Sequence, residues 1–284
     1  MEVRGCGPKR RSRQGLVPGG LFFLIALCLA VPANGVSKFS IGPSRVEAAW
    51  KPGTKETLVI EAVNQGDDDL RLKAYAADFD IDEAGELSYP KPGQIAHSCA
   101  DWFRFNPQTA EVAKGTSGPV RATARIPADA SGAYRCVLFL EDVPPPSRVK
   151  KQMFAIQMNA RLGSVLYINV GPMPPPLIRI EQLVASAGED GQVEAEALVV
   201  HAAGGTLRPQ GTWELVGSDG RSVEKSDVGF PLLPDHRRRA RWSAEPGPGS
   251  YIVRLSLDYG GEKRLIAEAP VTVSSAKPKA PTKK

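Results

Sequence analysis

Four cysteines and three histidines are few for 284 residues, and the shortage removes several kinds of chemistry. His97, His201 and His236 lie far apart, and none sits in a motif with Ser, Cys or Asp, so a hydrolytic triad has no support. Cys6 and Cys28 fall in an N-terminal stretch that reads as removable. Cys99 and Cys136, without a histidine cluster, do not make a zinc site. No glycine loop of the phosphate-cradling kind occurs, and no stretch carries the 3.6-residue apolar period of a long helix. Aromatic residues are only 7% of the chain; Trp102 and Trp213 read as core anchors rather than ligand stackers. The apolar run Leu21 to Val31 is too short to span a bilayer. Together these absences predict a chain that is not an enzyme and uses no metal or cofactor.

The charge must be divided before it is read. Of the net +5, four belong to the first 35 residues, where Arg4, Lys9, Arg10, Arg11 and Arg13 stand against Glu2. Four more belong to Lys277, Lys279, Lys283 and Lys284, which leaves the body of the chain at −3. That balance speaks against a nucleic-acid partner. The basic head, the short apolar run and the Ala33-Asn34-Gly35 site predict a cleavable secretory signal over residues 1–35, hence export and no stable membrane span afterwards. Cys28 is not a lipobox cysteine on this reading, because the bulky Leu27 precedes it. In an exported chain the remaining pair, Cys99 and Cys136, reads by default as a disulfide, with two separate buried thiols as the alternative.

From Ser37 onwards, short β-type runs alternate with Gly, Pro, Asn and Asp turns. An opening strand, Phe39 to Ala49, is bent by Gly42-Pro43. Strands follow at Glu56–Val63, Leu70–Ile81, Glu86–Tyr89 and Trp102–Asn106, and at Val120, Ala122, Ala124 and Ile126, which alternate with Arg121, Thr123 and Arg125. After the stiff Pro172–Pro176 linker the same pattern resumes. Val193, Ala195, Ala197 and Val199 alternate with Glu194 and Glu196, and Ser218-Asp219-Gly220 forms a hairpin turn with glycine placed for positive φ. Strands recurring about every ten residues predict an all-β chain with a sandwich in each half: 36–171, then 177–275, then a disordered basic tail over 276–284.

Two local features invite a site. Asp78, Asp80 and Asp82 resemble the start of a calcium loop, but Glu83 stands where glycine is needed and Tyr89 where the bidentate glutamate belongs. The spacing of two places the three carboxylates on the solvent face of a strand, with Phe79 and Ile81 behind them. The run His236 to Arg241 reads as a solvated strand face, with a phosphate track as the alternative.

The stretch Tyr134 to Gly171 organises the rest. Its first strand puts Tyr134, Cys136, Leu138 and Leu140 on one face and ends at Pro144–Pro146, which cannot donate ladder hydrogen bonds. A long run from Met153 to Val170 follows, with Phe154, Ile156, Met158, Ala160 and Leu162 on one face and Gln157, Asn159 and Arg161 on the other.

The order of these pieces resembles the PapD-like periplasmic pilus-assembly chaperones over residues 38–171. The resemblance is carried by Ser40-Ile41-x-Pro43-x-Arg45-Val46, Val63-Asn64, Asn106-Pro107 before Lys114-Gly115, Tyr134-Arg135-Cys136-Val137-Leu138, and Leu140-Glu141-Asp142-Val143-Pro144-Pro145 followed by Phe154-Ala155-Ile156-Gln157-Met158. It implies two immunoglobulin-like sandwiches set around a cleft and located in the periplasm. It also implies donor-strand complementation, in which the last strand of the first domain lends Phe154, Ile156 and Met158 to a pilin-like subunit that lacks a strand. The partners implied are such subunits and an outer-membrane usher. In the family two basic residues anchor the client's C-terminal carboxylate. Arg45 matches the first; Gly163 stands at the second, with Arg161 one pleat earlier on the same face. An exported structural or surface-interaction protein with no pilin client is the alternative function.

Overall fold

The bend at Gly42-Pro43 is a change of sheet. In the computed structural model, which describes residues 39–90, 93–143 and 159–274, β1 (Phe39–Gly42) pairs antiparallel with β3 (Lys55–Asn64). Beyond the bend, β2 (Arg45–Trp50) pairs parallel with β11 (Arg161–Val170) in the opposite sheet. One short strand thereby closes both layers of the first sandwich. The four-stranded layer has the order β1-β3-β9-β7, with β7 at Phe103–Asn106 and β9 at Ser117–Arg125. The five-stranded layer has the order β2-β11-β10-β4-β8, with β4 at Leu70–Ala77, β8 at Thr109–Val112 and β10 at Gly132–Asp142.

Period-two alternation supplies the core between these layers. Ile60 and Ala62, then Val120, Ala122 and Ala124, face Leu72, Ala74, Cys136, Leu138, Leu140, Leu166 and Ile168, all buried. Cys99 and Cys136 form a disulfide inside this core, with Cα atoms 5.3 Å apart. Of the two predicted anchors, Trp213 is buried in the second sandwich, whereas Trp102 is half-buried with its ring 4.5 Å from that of Tyr134.

β12 (Leu177–Ala187), β13 (Val193–Ala203) and β16 (Arg237–Ala244) make one layer of the second sandwich. β15 (Ser222–Gly229), β14 (Gln210–Gly217), β17 (Gly249–Asp258) and β18 (Leu265–Val273) make the other. Val193, Ala195, Ala197 and Val199 all point into the core, as the alternation predicts, and Gly220 has φ +79 in the β14–β15 turn. Trp242 stacks on Trp213 at 6.0 Å with the rings 5° from parallel, a pairing that spans the core and that no local pattern signals.

The arginine strand β16 is only in part the solvated face expected: Arg237, Arg239 and Arg241 pair with carboxylates, whereas Arg238 is half-buried over the Phe230 ring. Glu196 accepts from Arg241 Nε at 2.8 Å and from Arg239 Nη1 at 2.7 Å. These hydrogen bonds, Arg241's first, hold the Glu196 carboxyl below its ordinary value. A lowered folded-state value means the contribution is complete above the unfolded carboxylate range, about pH 4.3, and is lost as pH falls through the folded value. Because the ladder is largely exposed, the amount is small. Glu196→Gln should therefore narrow the gap between urea midpoints measured at neutral pH and near pH 3. An unchanged gap would show that the ladder carries no acid sensitivity.

Candidate interaction cleft

The outer face of the five-stranded layer is the side the second sandwich packs on. β4 ends at Ala77, and the chain then leaves the ladder for a small hairpin, β5 (Asp80–Ile81) and β6 (Leu87–Ser88). Phe79 and Ile81 from this excursion, Val137 and Phe139 from β10 and Tyr167 from β11 form a second apolar cluster that receives Leu233 of the second sandwich. The two sandwiches belong to one compact unit.

The departure from the ladder corrects the reading of the three aspartates. They do not share a solvent face, because strand alternation does not run through residues 78 and 79. Asp78 is buried and accepts from the amides of Gly93, at 2.8 Å, and Ile95, and from the Ser98 hydroxyl. Asp80 is half-buried; its Oδ1 takes Arg135 Nη2 at 2.9 Å and lies 2.8 Å from His236 Nε2. Asp82 is exposed and caps the hairpin turn by accepting from the amides of Gly85 and Glu86. Among the described residues no group of three or more potential metal ligands occurs.

The hairpin also grips β16. Arg239 Nε donates to Glu83 Oε2 at 2.9 Å, and the Arg239 amide donates to the Glu83 carbonyl at 2.7 Å. A Cβ added at Gly85 would fall 1.5 Å from Nη1 of Arg238, so only glycine lets that guanidinium lie across the tip. Burial lowers the Arg238 pKa from its ordinary value. On the other side of the seam, Arg208 lies with Cζ 4.7 Å from the Tyr167 ring centre and pairs with Glu47 of β2.

The expected anchor residues occupy this face but are not brought together. Arg45 is 56% exposed and sits 3.3 Å from Glu47, the carboxylate that Arg208 also holds, so it lies beside the seam between the sandwiches. It pairs with Val165, four residues along β11 from Arg161, which separates the two by roughly 13 Å along the strand. Arg161 lies flat on rings, its Cζ 4.6 Å from the centre of Phe139 and 5.2 Å from that of Tyr89, with the Tyr75 hydroxyl 3.5 Å from Nη1. The Tyr75 pKa is raised, chiefly by burial, and that of Arg161 is raised, chiefly by its hydrogen bond to Tyr75. Between them Gly163 leaves room for its neighbours: a Cβ there would meet Val137 at 2.7 Å and Phe139 at 2.9 Å. Phe154, Ile156 and Met158 lie outside the described residues; Asn159 and Ala160 are described and precede the strand, so β11 begins at Arg161.

Within β11 the two sides differ. β10 pairs with the strand from Arg161 to Val170, whereas β2 pairs only with Val165 to Val170. Arg161 to Ser164 therefore have a ladder partner on one side and, among the described residues, none on the other. Sequence reasoning missed Asp80, Glu83 and His236 as partners, since they meet across more than 150 residues of chain.

No protein-family model matches the sequence, and no curated protein matches it. Solved structures that the chain is similar to include the class 5 fimbriae chaperone CfaA, with 14% identity and a TM-score of 0.43 over 81% of this chain and 98% of that one. The chaperone–tip adhesion subunit pre-assembly complex CsuC–CsuE of Acinetobacter baumannii matches with 11% identity and a TM-score of 0.45, over 83% and 99%. The YadV chaperone matches with 13% identity and a TM-score of 0.45, over 82% and 100%. The sheets themselves establish the architecture: an all-β chain of two tandem sandwiches, the first closed by a strand that changes layers, with a seam of apolar and charged contacts between them.

Proposed function

We propose that the chain is a periplasmic chaperone for fimbrial-type subunits, capping an incomplete β-sandwich through the edge of β11. The observation that supports this is the side of Arg161 to Ser164 that has no ladder partner among the described residues, where a partner strand could continue the sheet beyond the end of β2. On this reading Phe154, Ile156 and Met158, just upstream, are the side chains lent to the client. Arg45 and Arg161 supply positive charge on the same face for a client carboxylate. Export by the signal over residues 1–35 places the protein in the periplasm, and an outer-membrane usher receives the complex.

One observation favours a second reading, an exported structural or surface-interaction protein with no pilin client. Gly163 occupies the second anchor position, and its space is filled by Val137 and Phe139. Purification of the untagged chain from its native periplasm separates the two. A subunit with an incomplete sandwich should co-purify with the wild type. Its yield should fall at least about tenfold with Ile156→Asp/Met158→Asp and more modestly with Arg45→Ala or Arg161→Ala, each variant remaining folded. A wild type that purifies alone, or an Ile156→Asp/Met158→Asp chain that unfolds, would decide for the structural reading.

A further inference from the structure

We infer that the outer face of the four-stranded layer of the first sandwich is a docking surface for an anionic lipid bilayer. Alternation turns Ile60, Ala62, Val120, Ala122 and Ala124 into the core, so Lys55 and Val59 of β3 and Pro119, Arg121 and Arg125 of β9 point outward. The register then gathers the cations. Lys55 stands directly opposite Arg125, which places their Cβ atoms about 5 Å apart. Arg104 of β7 stands opposite Thr123, hence diagonal to both Arg121 and Arg125, about 7–8 Å from each. All four cations are exposed.

Like charges opposite one another weaken a sheet, and elsewhere the chain supplies them with carboxylates. Arg237, Arg239, Arg241 and Arg254 each have an acidic partner. Among the described residues Lys55, Arg104, Arg121 and Arg125 have none. Arg104 Nη1 donates instead to the main-chain carbonyls of Asp101, at 3.1 Å, and Phe103, at 2.8 Å. Glu61 lies on the same face but stands opposite Pro119. The residues outside the described ones add a single acidic side chain, Glu2. A body of net negative charge thus collects four unneutralised cations on one layer.

The shape of this face selects the partner. The cations lie on the outside of a sheet rather than in a hollow, so a small anion would meet one or two of them, whereas a plane of lipid phosphates meets all four. The guanidinium forks fit phosphate oxygens. Val59, 47% exposed and opposite Arg121, and exposed Pro119 add apolar surface suited to the boundary between headgroups and acyl chains. The layer is the one away from the face that receives Leu233, so docking leaves the seam and the β11 edge free. It does not depend on what that edge binds.

The protein purified from the periplasm is mixed at low salt with vesicles of phosphatidylcholine alone or of an equal mixture with phosphatidylglycerol, and bound protein is read by flotation. Only the mixed vesicles should bind it, and added salt should release it. Each cation near an anionic surface contributes about fivefold, so Arg104→Gln/Arg121→Gln/Arg125→Gln should weaken partition by about a hundredfold, and Arg104→Gln alone by about fivefold. Arg179→Gln/Arg221→Gln/Lys225→Gln, which removes the same charge from the second sandwich, should bind nearly as the wild type does. Deleting residues 276–284 should leave the difference between wild type and the first variant in place. The first variant should melt no lower than the wild type, since it relieves like-charge pairs. Soluble glycerol phosphate at equal phosphate concentration should not compete. Equal binding of the wild type to both kinds of vesicle would overturn the proposal without recourse to any variant. An equal loss in the second-sandwich variant would reduce it to net charge, and competition by glycerol phosphate would replace the bilayer with a free-phosphate site. A first variant that melts lower would make the arginines structural.

Discussion

Gly211→Val is expected to prevent the second sandwich from folding. Gly211 lies in β14 opposite Leu257 of β17, and a Cβ built on it would fall 1.7 Å from the Ser256 carbonyl oxygen and 3.0 Å from the Leu257 Cα. Those atoms are main chain in the centre of a four-stranded layer, so no rotamer change relieves them and the strands would have to part. Overpacking usually costs about 1–3 kcal/mol where side chains can shift; against fixed backbone the cost lies above that range. A loss beyond about 3 kcal/mol is a large share of what a domain has. The four tryptophans divide evenly, Trp50 and Trp102 in the first sandwich, Trp213 and Trp242 in the second. Fluorescence should therefore lose the buried signal of the second pair. A variant as stable as the wild type would mean that β14 and β17 do not lie in this register.

Removing the disulfide is the second large effect. Cys99 and Cys136 are 37 residues apart, and on the chain-entropy account cross-linking a loop of that length stabilises by about 4 kcal/mol. Cys99→Ala/Cys136→Ala should lose roughly that amount in urea or guanidinium denaturation. Treating the wild type with reductant should give the same midpoint, and reductant should leave the double variant unchanged. A double variant as stable as the oxidised protein would contradict the bond. Its position raises the stake, since the Cys99 amide donates to the Arg135 carbonyl at 3.1 Å, one residue from Cys136. The cross-link thus ties down the backbone of the arginine that holds Asp80.

Much of the fold is legible because it is local. Alternation in Val120–Ile126 and Val193–Val199 reports which side of each strand meets the core, and the hairpin glycine at 220 reports its turn, whereas β10 is buried on both faces from Arg135 to Leu140. β8 escaped notice: four residues after Asn106-Pro107 are too few for a period to declare itself. The aspartates at 78, 80 and 82 misled because alternation was carried past the end of β4, where no ladder enforces it. The seam between the sandwiches is the least legible part. Its members are single charged residues, each unremarkable on its own strand, and they acquire meaning only when Asp80 meets His236 and Glu83 meets Arg239. Gly163 is the exception, since the missing side chain was visible at once, although the rings that fill its place were not.

The half-paired stretch of β11 has a consequence for handling the isolated molecule. Sheet edges invite other chains to add strands, and charged side chains are a common defence. β15, an edge of the second sandwich, carries Glu224, Lys225 and Asp227, with most of its residues exposed. The part of β11 that has no ladder partner on one side among the described residues reads Arg161-Leu162-Gly163-Ser164, with one charge at its outer end and that guanidinium lying flat on Phe139 and Tyr89. Self-association in concentrated solution would accordingly begin at β11 rather than at β15, and solubility would rise with whatever occupies that edge.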